Sequence, residues 1–157
     1  MRRKDREVTD LSQLEKIIQQ CDCIHLGLLD GDTPYVVPMN FGYERAGDQF
    51  IFYMHAASEG KKLSLIKANP NASFCMDTGH GLVKGEVPCS WSFLYESVMG
   101  RGRINLVQEP EEKRRGLQAV MAHYSGSREL LEFPDAMMNR VAILKLEAEN
   151  LTGKQHK

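Results

Sequence analysis

Residues 23–55, CIHLGLLDGDTPYVVPMNFGYERAGDQFIFYMH, decide the fold class. Three runs rich in aliphatic and aromatic residues are separated by Asp30-Gly31-Asp32 and by Ala46-Gly47-Asp48, and both breaks are strong turn signals. Connections this short join antiparallel neighbours, because parallel strands need a long crossover. The stretch therefore predicts a three-stranded antiparallel meander.

The second strand of this meander has two distinct faces. Alternation places one set of apolar side chains on a single side of the strand: Tyr35, Val37, Met39, Phe41 and Tyr43. Pro38 cannot donate a ladder hydrogen bond, so it predicts an edge strand or an irregularity.

The third strand leads into FYMHAASEGKKLSLIKANP, residues 52–70, where a strand, a corner and a helix follow one another. Gly60 permits unusual backbone geometry, Ser58 can cap a helix, and Asn69-Pro70 ends it. The first turn of a helix offers free amides and a positive dipole end. Lys61 and Lys62 are either solvated surface residues or the charged part of an anion site. A phosphate would suit both the lysine charges and the free amides of such a site.

The rest of the chain continues the β pattern with helices inserted. Asp10 predicts the start of a first helix and Pro110 that of another, while residues 72–77, 89–107 and 141–154 read as strands. We predict a mainly β fold with peripheral helices, a six-stranded antiparallel barrel, in one domain over residues 1–157.

Charge and composition limit the classes of partner. Twenty basic and twenty-one acidic residues give a net charge of −1, so we expect no binding to nucleic acid or to an anionic membrane. No apolar run approaches the roughly 20 residues of a spanning helix, and the basic N-terminus has no apolar signal core. With four cysteines in no disulfide pattern, we expect a cytoplasmic protein with free thiols.

Cys21, Cys23 and His25 form the one cluster that suggests a metal. In a strand these alternate residues would share a side, but no further ligands follow at recognisable spacing. Since free cysteines are often small core residues, we assign no metal. His80 and His123 are read as surface residues, and no side chain is nominated as a catalytic acid or base.

Three segments together resemble a known family. VVPMNFGYE (36–44), FIFYMHAASEGKKLSLIKANPNASFCMD (50–77) and CSWSFLYESVMGRGRINLV (89–107) are similar to the pyridoxamine 5′-phosphate oxidase-like split barrels. The similarity is greatest to the branch that includes the nitroimidazole-resistance proteins, and it extends over nearly the whole chain.

The resemblance implies a six-stranded split β-barrel that forms a homodimer, with flavin mononucleotide (FMN) in each of two clefts between the subunits. Residues at the positions of Lys61 and Lys62 hold the flavin phosphate in this family, assisted by Ser58. The remaining implied cofactor contacts are Pro38, Met39, Asn40 and Phe41 along the ring, His55, and Ser97 from the partner subunit. His55 can equally be a packing residue, and Trp91 belongs either to the core or near the dimer seam.

The implied function is that of a small FMN-dependent oxidoreductase, nitroreductase-like or flavin-reductase-like, with a small-molecule electron donor and acceptor. The chain ends at LTGKQHK without the arginine-and-histidine segment of the oxidases proper, which argues against pyridoxamine phosphate oxidation. Two alternatives stay open. One is a non-catalytic flavin- or haem-binding module, with His25 or His55 as axial ligand, and the other is a structural or metal-binding domain.

Overall fold

The computed structural model describes residues 3–157 and shows a mainly β protein with peripheral helices. The strands are β1 (Glu7–Val8), β2 (Ile24–Asp30), β3 (Thr33–Met39), β4 (Phe41–Ala46), β5 (Gln49–Ala57), β6 (Asn71–Val83), β7 (Ser92–Leu106) and β8 (Val141–His156). The helices are α1 (Leu11–Gln20), α2 (Lys61–Ala68), α3 (Pro110–Ser125) and α4 (Asp135–Met138). Single 3-10 turns lie at Lys4–Arg6 and Pro88–Ser90.

The sheet is antiparallel throughout, in the order β3-β2-β6-β7-β8-β5-β4, with β1 paired to β8. Its two end strands, β3 and β4, are consecutive in the chain and separated by Asn40 alone. The chain itself therefore joins the two ends of the sheet. The predicted antiparallel barrel-type fold is confirmed; the strand count differs because the predicted second strand is broken at Asn40 and because β1 adds a short pair.

The edge character of β3 is confirmed. Within residues 3–157, β3 pairs with β2 alone, and Pro38 lies opposite His25 and is exposed. Met39, on the other side of the strand, is buried. The alternation predicted for this strand therefore holds up to the break.

Apolar side chains from the inner faces of the strands form one continuous core. Removal of these side chains from water is the main force that closes the sheet, at about 1.5–3 kcal/mol for each large residue. The largest fully buried side chains of this core are Phe41, Phe50, Phe52, Ile18, Ile24, Leu26, Met54, Met76, Ile104 and Leu144. A smaller cluster, Tyr53, Val107, Val120 and Ile143, lies separately.

Helix α1 begins where the sequence predicts, because the Asp10 carboxylate accepts a 2.8 Å hydrogen bond from the Gln13 amide. Its end, at Cys21, also agrees with the sequence. Cys21 terminates the helix with its thiol donating to the Ile17 carbonyl, and β2 begins only at Ile24. Cys21 is therefore a small buried residue at the end of the helix, as the sequence favours, and no strand aligns it with Cys23 and His25.

Helix α3 begins at Pro110 as predicted and packs on β4 and β5. The helix and the strands approach closely because glycine at two positions leaves no side chain between them. A Cβ on Gly42 would lie 2.2 Å from the Ala119 carbonyl carbon, and one on Gly116 would lie 2.8 Å from the Tyr53 ring. These glycines set the distance between helix and barrel.

The β6–β7 hairpin extends further than expected, since β6 continues to Val83 with an irregularity between Thr78 and Gly81. Trp91, before β7, is 46% exposed, so its assignment to the core is wrong. Among residues 3–157, no helix is both long enough and apolar enough to cross a lipid bilayer.

Candidate functional site

The start of α2 is an open helix end with two lysines. Gly60 precedes the helix at φ 137°, a conformation that favours glycine, and it has no side chain to cap the helix. The Leu63 and Ser64 amides bond to the Gly60 carbonyl, whereas the Lys61 and Lys62 amides have no acceptor within the helix. Gly60, and not Ser58, is therefore the capping position, which corrects the predicted cap.

The space around this helix end is open. A Cβ on Gly60 would meet no atom of the described residues within 4 Å. Ser58 is exposed on the segment that connects β5 to the helix. A ligand can therefore approach the free amides without displacing a side chain at Gly60.

The Lys61 side chain reaches β2 and β3, and the Lys62 side chain reaches β3. Lys61 Nζ lies 2.5 Å from Asp30 Oδ2 and 5.3 Å from the centre of the Tyr35 ring. The hydrogen bond and charge of Asp30 raise the pKa of Lys61. Lys62, which is half-buried, donates to the Met39 sulfur at 3.3 Å. Asp30 is a site residue that sequence reasoning missed, since it was read only as part of a turn.

Exposed and buried side chains alternate along the Pro38–Phe41 segment. Met39 and Phe41 are buried, whereas Pro38 and Asn40 are exposed. The hydrogen bond from Lys62 ties Met39 to the start of α2. Because this bond joins the two features, the structure brings the proposed ring segment and the lysine pair together.

Tyr124, on the last turns of α3, holds the break between β3 and β4. Its hydroxyl accepts hydrogen bonds from Asn40 Nδ2 and from the Phe41 amide, each at 3.1 Å. It donates to the Asp22 carbonyl at 2.7 Å. No local sequence signal links Tyr124 to Asn40, so this contact could not be predicted from the sequence.

His123 is not a free surface residue as the sequence suggested. Its Nε2 lies 2.8 Å from the Cys21 carbonyl, which can only accept, so this nitrogen carries a proton. Its ring packs on Phe41 with centroids 4.3 Å apart. His80, by contrast, is an exposed residue as predicted, with its Nε2 2.7 Å from Asp77.

His55 and Ser97 have surroundings that do not include a bond to the lysine pair. His55 is exposed on β5 opposite Ile143. Ser97 lies on β7, and its hydroxyl donates weakly to the Lys154 carbonyl at 3.5 Å. Within residues 3–157, no hydrogen bond or ion pair joins either of them to Lys61 or Lys62. Their roles at a cofactor remain predictions, and that of Ser97 requires a second subunit.

The cysteines show different environments. Cys21 is buried, and loss of solvent raises the pKa of its thiol to about 12. Cys75 and Cys89 are exposed. Across residues 3–157, no group of three or more His, Cys, Asp and Glu side chains is arranged to hold a metal ion.

A separate cleft of about 1200 Å³ lies between α1, β4 and α3. Most of its charged groups are paired: Arg45 pairs with Glu15 at 2.9 Å, the guanidinium of Arg115 with Glu44, and Arg114 with Glu111, while Arg128 has no ion pair among residues 3–157. None of the predicted cofactor contacts lines this cleft. We therefore take the start of α2 together with Pro38–Phe41 as the candidate site.

The family model described as pyridoxamine 5′-phosphate oxidase matches residues 10–155. The chain belongs to this family. The resemblance to the family is thereby confirmed, although membership alone does not identify the substrate. A search of curated protein sequences finds no significant match.

Solved structures agree with this assignment. A proposed 5-nitroimidazole antibiotic resistance protein from Bacteroides thetaiotaomicron is 35% identical, with a TM-score of 0.81 over 95% of this chain and 86% of that one. An FAD- and haem-binding protein from Mycobacterium smegmatis is 19% identical, with a TM-score of 0.80 over 97% of this chain and 74% of that one. An FAD-binding protein from Mesorhizobium loti is 20% identical, with a TM-score of 0.68 over 97% and 98%. The last two show similarity of fold alone.

Proposed function

We propose that this protein binds FMN with the flavin phosphate at the start of α2 and acts as a small flavin-dependent oxidoreductase. The observation that carries the proposal is the arrangement at this helix end, where two ammonium groups adjoin two amides without an intrahelical acceptor. A phosphate monoester carries between one and two negative charges near neutral pH. It therefore fits both the charge and the hydrogen-bonding capacity of the site.

The flavin ring would lie along Pro38–Phe41. Pro38 and Asn40 present exposed groups to a ligand, while Met39 and Phe41 anchor the segment in the core. Tyr124 fixes the backbone at Phe41 through its hydroxyl. A bound flavin supplies electron transfer, and the chain supplies a rigid surface that orients the ring.

The relatives support a flavin and a redox role. Flavin binding is named for the Mycobacterium smegmatis and Mesorhizobium loti proteins, and nitroimidazole resistance for the Bacteroides thetaiotaomicron protein. A small-molecule electron donor and a nitro compound or similar acceptor are the partners that we propose. The four free cysteines fit a reducing compartment, which supports a cytoplasmic location.

We further propose a homodimer, in which Ser97 reaches the flavin of the partner subunit. The β6–β7 hairpin supports this proposal, because it exposes a group of large apolar side chains that a second copy would cover. These side chains are Leu82, Val83, Val87, Trp91 and Phe93. Sedimentation equilibrium tests the assembly: a dimer is expected, and a monomer at all concentrations would contradict it.

The phosphate assignment is tested by the double variant Lys61→Ala/Lys62→Ala. We expect FMN affinity to fall by at least about 10-fold, because charge-assisted hydrogen bonds to the phosphate are lost. Titration calorimetry measures the affinity. Lys67→Ala is the matched control, since Lys67 is an exposed lysine in the last turn of the same helix. Equal FMN affinity in the double variant and in wild type would contradict the assignment.

Turnover separates an enzyme from a binding module. Under anaerobic conditions, a nicotinamide donor should bleach the flavin absorption band of the reconstituted protein, and a nitroaromatic acceptor should restore it. Tight flavin binding with no reduction by any donor would favour the non-catalytic flavin module. A Soret band after incubation with haem would favour the haem-binding alternative.

A further inference from the structure

We propose that Asp30 is the internal counter-ion of Lys61 and that it lowers the preference of the site for phosphorylated over unphosphorylated flavin. The inference rests on the proposed phosphate site at Lys61 and Lys62. It gives a specificity role to a residue of the β2–β3 turn.

The ion pair joins two separate elements. Asp30 is the last residue of β2, and Lys61 is the first residue of α2. Their side chains meet at 2.5 Å, while 40% of Asp30 and 56% of Lys61 remain exposed. Because both partners are accessible to water, an incoming anion can compete for the ammonium group without breaking the core.

The two lysines are not equivalent. Lys61 is neutralised by a carboxylate and also lies against the Tyr35 ring. Lys62 instead donates to the uncharged Met39 sulfur, and within residues 3–157 it forms no ion pair. The charge of Lys62 is therefore available to a ligand. Lys61 can bind an anion only by contacting Asp30 and the anion together or by releasing Asp30.

A phosphate at this helix end would place negative charge close to Asp30. The carboxylate must then either turn away from Lys61 or remain beside a second anion, and both responses disfavour the phosphate. Riboflavin has the same ring but no phosphate, so Asp30 does not affect its binding in this way. The cost falls on the phosphorylated ligand alone.

Asp30→Asn tests this effect, since it keeps the shape of the side chain and removes the charge. Calorimetry at low salt should show FMN binding tightened by about 2- to 5-fold, the range typical of an exposed ion pair, with riboflavin affinity unchanged. Added salt should reduce the difference between variant and wild type. Asp32→Asn is the matched control, because Asp32 is an exposed carboxylate of the same turn without an ion pair among the described residues.

Three results would overturn the proposal. FMN affinity in Asp30→Asn could be unchanged, it could be weaker, or it could rise equally for riboflavin. A weaker affinity would mean that Asp30 serves to hold Lys61 in place. The tightening should also disappear in the background of Lys61→Met, because the carboxylate acts through that ammonium group.

Titration with inorganic phosphate separates this inference from the flavin proposal. The Lys61 and Lys62 amide resonances should shift at lower phosphate concentration in Asp30→Asn than in wild type. Failure of wild type to bind FMN would contradict the flavin assignment, while the phosphate titration would still test Asp30. Equal phosphate affinity in both proteins would refute the role of Asp30.

Discussion

Tyr124→Phe is the substitution that most directly tests how the β3–β4 break is held. The change removes one oxygen atom and leaves the aromatic ring in place. That oxygen accepts hydrogen bonds from Asn40 and from the Phe41 amide and donates to the Asp22 carbonyl. All three contacts join α3 to residues far away in the sequence, so their loss weakens the attachment of α3 to this corner of the barrel, where the contacts of His123 with Cys21 and Phe41 remain.

The expected loss of stability follows from what happens to each partner. Asn40 and Asp22 are exposed, so water can replace their lost contacts. Phe41 is buried, so water replaces the hydrogen bond of its amide less readily. Since a net hydrogen bond contributes about 0.5–1.5 kcal/mol and an unsatisfied buried amide costs about 1–3 kcal/mol, we expect a loss of about 1–3 kcal/mol. For a chain of this size, that corresponds to a melting temperature lowered by roughly 2–10 °C.

Urea denaturation followed by circular dichroism measures this free energy of unfolding. Tyr35→Phe is the matched control, because the Tyr35 hydroxyl makes no hydrogen bond to any of residues 3–157. The control should stay within about 0.5 kcal/mol of wild type. Asn40→Ala should cost less than Tyr124→Phe, since it leaves the bond to the Phe41 amide intact. Equal stability of the two phenylalanine variants would refute the claim that this hydroxyl holds the break.

Two further predictions concern packing and pH. Gly42→Ala should destabilise by about 1–3 kcal/mol or more, because the new Cβ meets the Ala119 backbone at 2.2 Å, whereas Gly81→Ala, with its nearest contact at 3.4 Å, should be nearly neutral in urea denaturation. Burial raises the pKa of the Cys21 thiol from 9.0 to about 12. The buried neutral thiol therefore contributes fully to the free energy of unfolding below pH 9, and this contribution is lost as pH rises towards 12. Melting curves across this range should show a loss of up to ~4 kcal/mol that Cys21→Ala removes, and an identical pH profile in that variant would contradict the assignment.

The barrel-type fold could be predicted because its signals are local. The Asp30-Gly31-Asp32 and Ala46-Gly47-Asp48 turns and the alternation between them fix antiparallel neighbours without information from elsewhere in the chain. The break at Asn40 could not be predicted in the same way. It depends on Tyr124, which is 84 residues away in the sequence.

The candidate site also combines local features, which the sequence predicts, with tertiary features, which it does not. The lysine pair at a helix start is a local pattern, and the structure places both lysines in the first turn of α2. The cap at Gly60 and the ion pair with Asp30 are tertiary features that residue order does not reveal.

The central claim is that Lys61 and Lys62 hold the phosphate of FMN. A crystal structure of the protein reconstituted with FMN tests it most directly. We predict phosphate oxygens about 3 Å from the Nζ atoms or amides of both lysines, with the ring along Pro38–Phe41. A flavin bound with its phosphate elsewhere, or a site without flavin at saturating FMN, would contradict the claim.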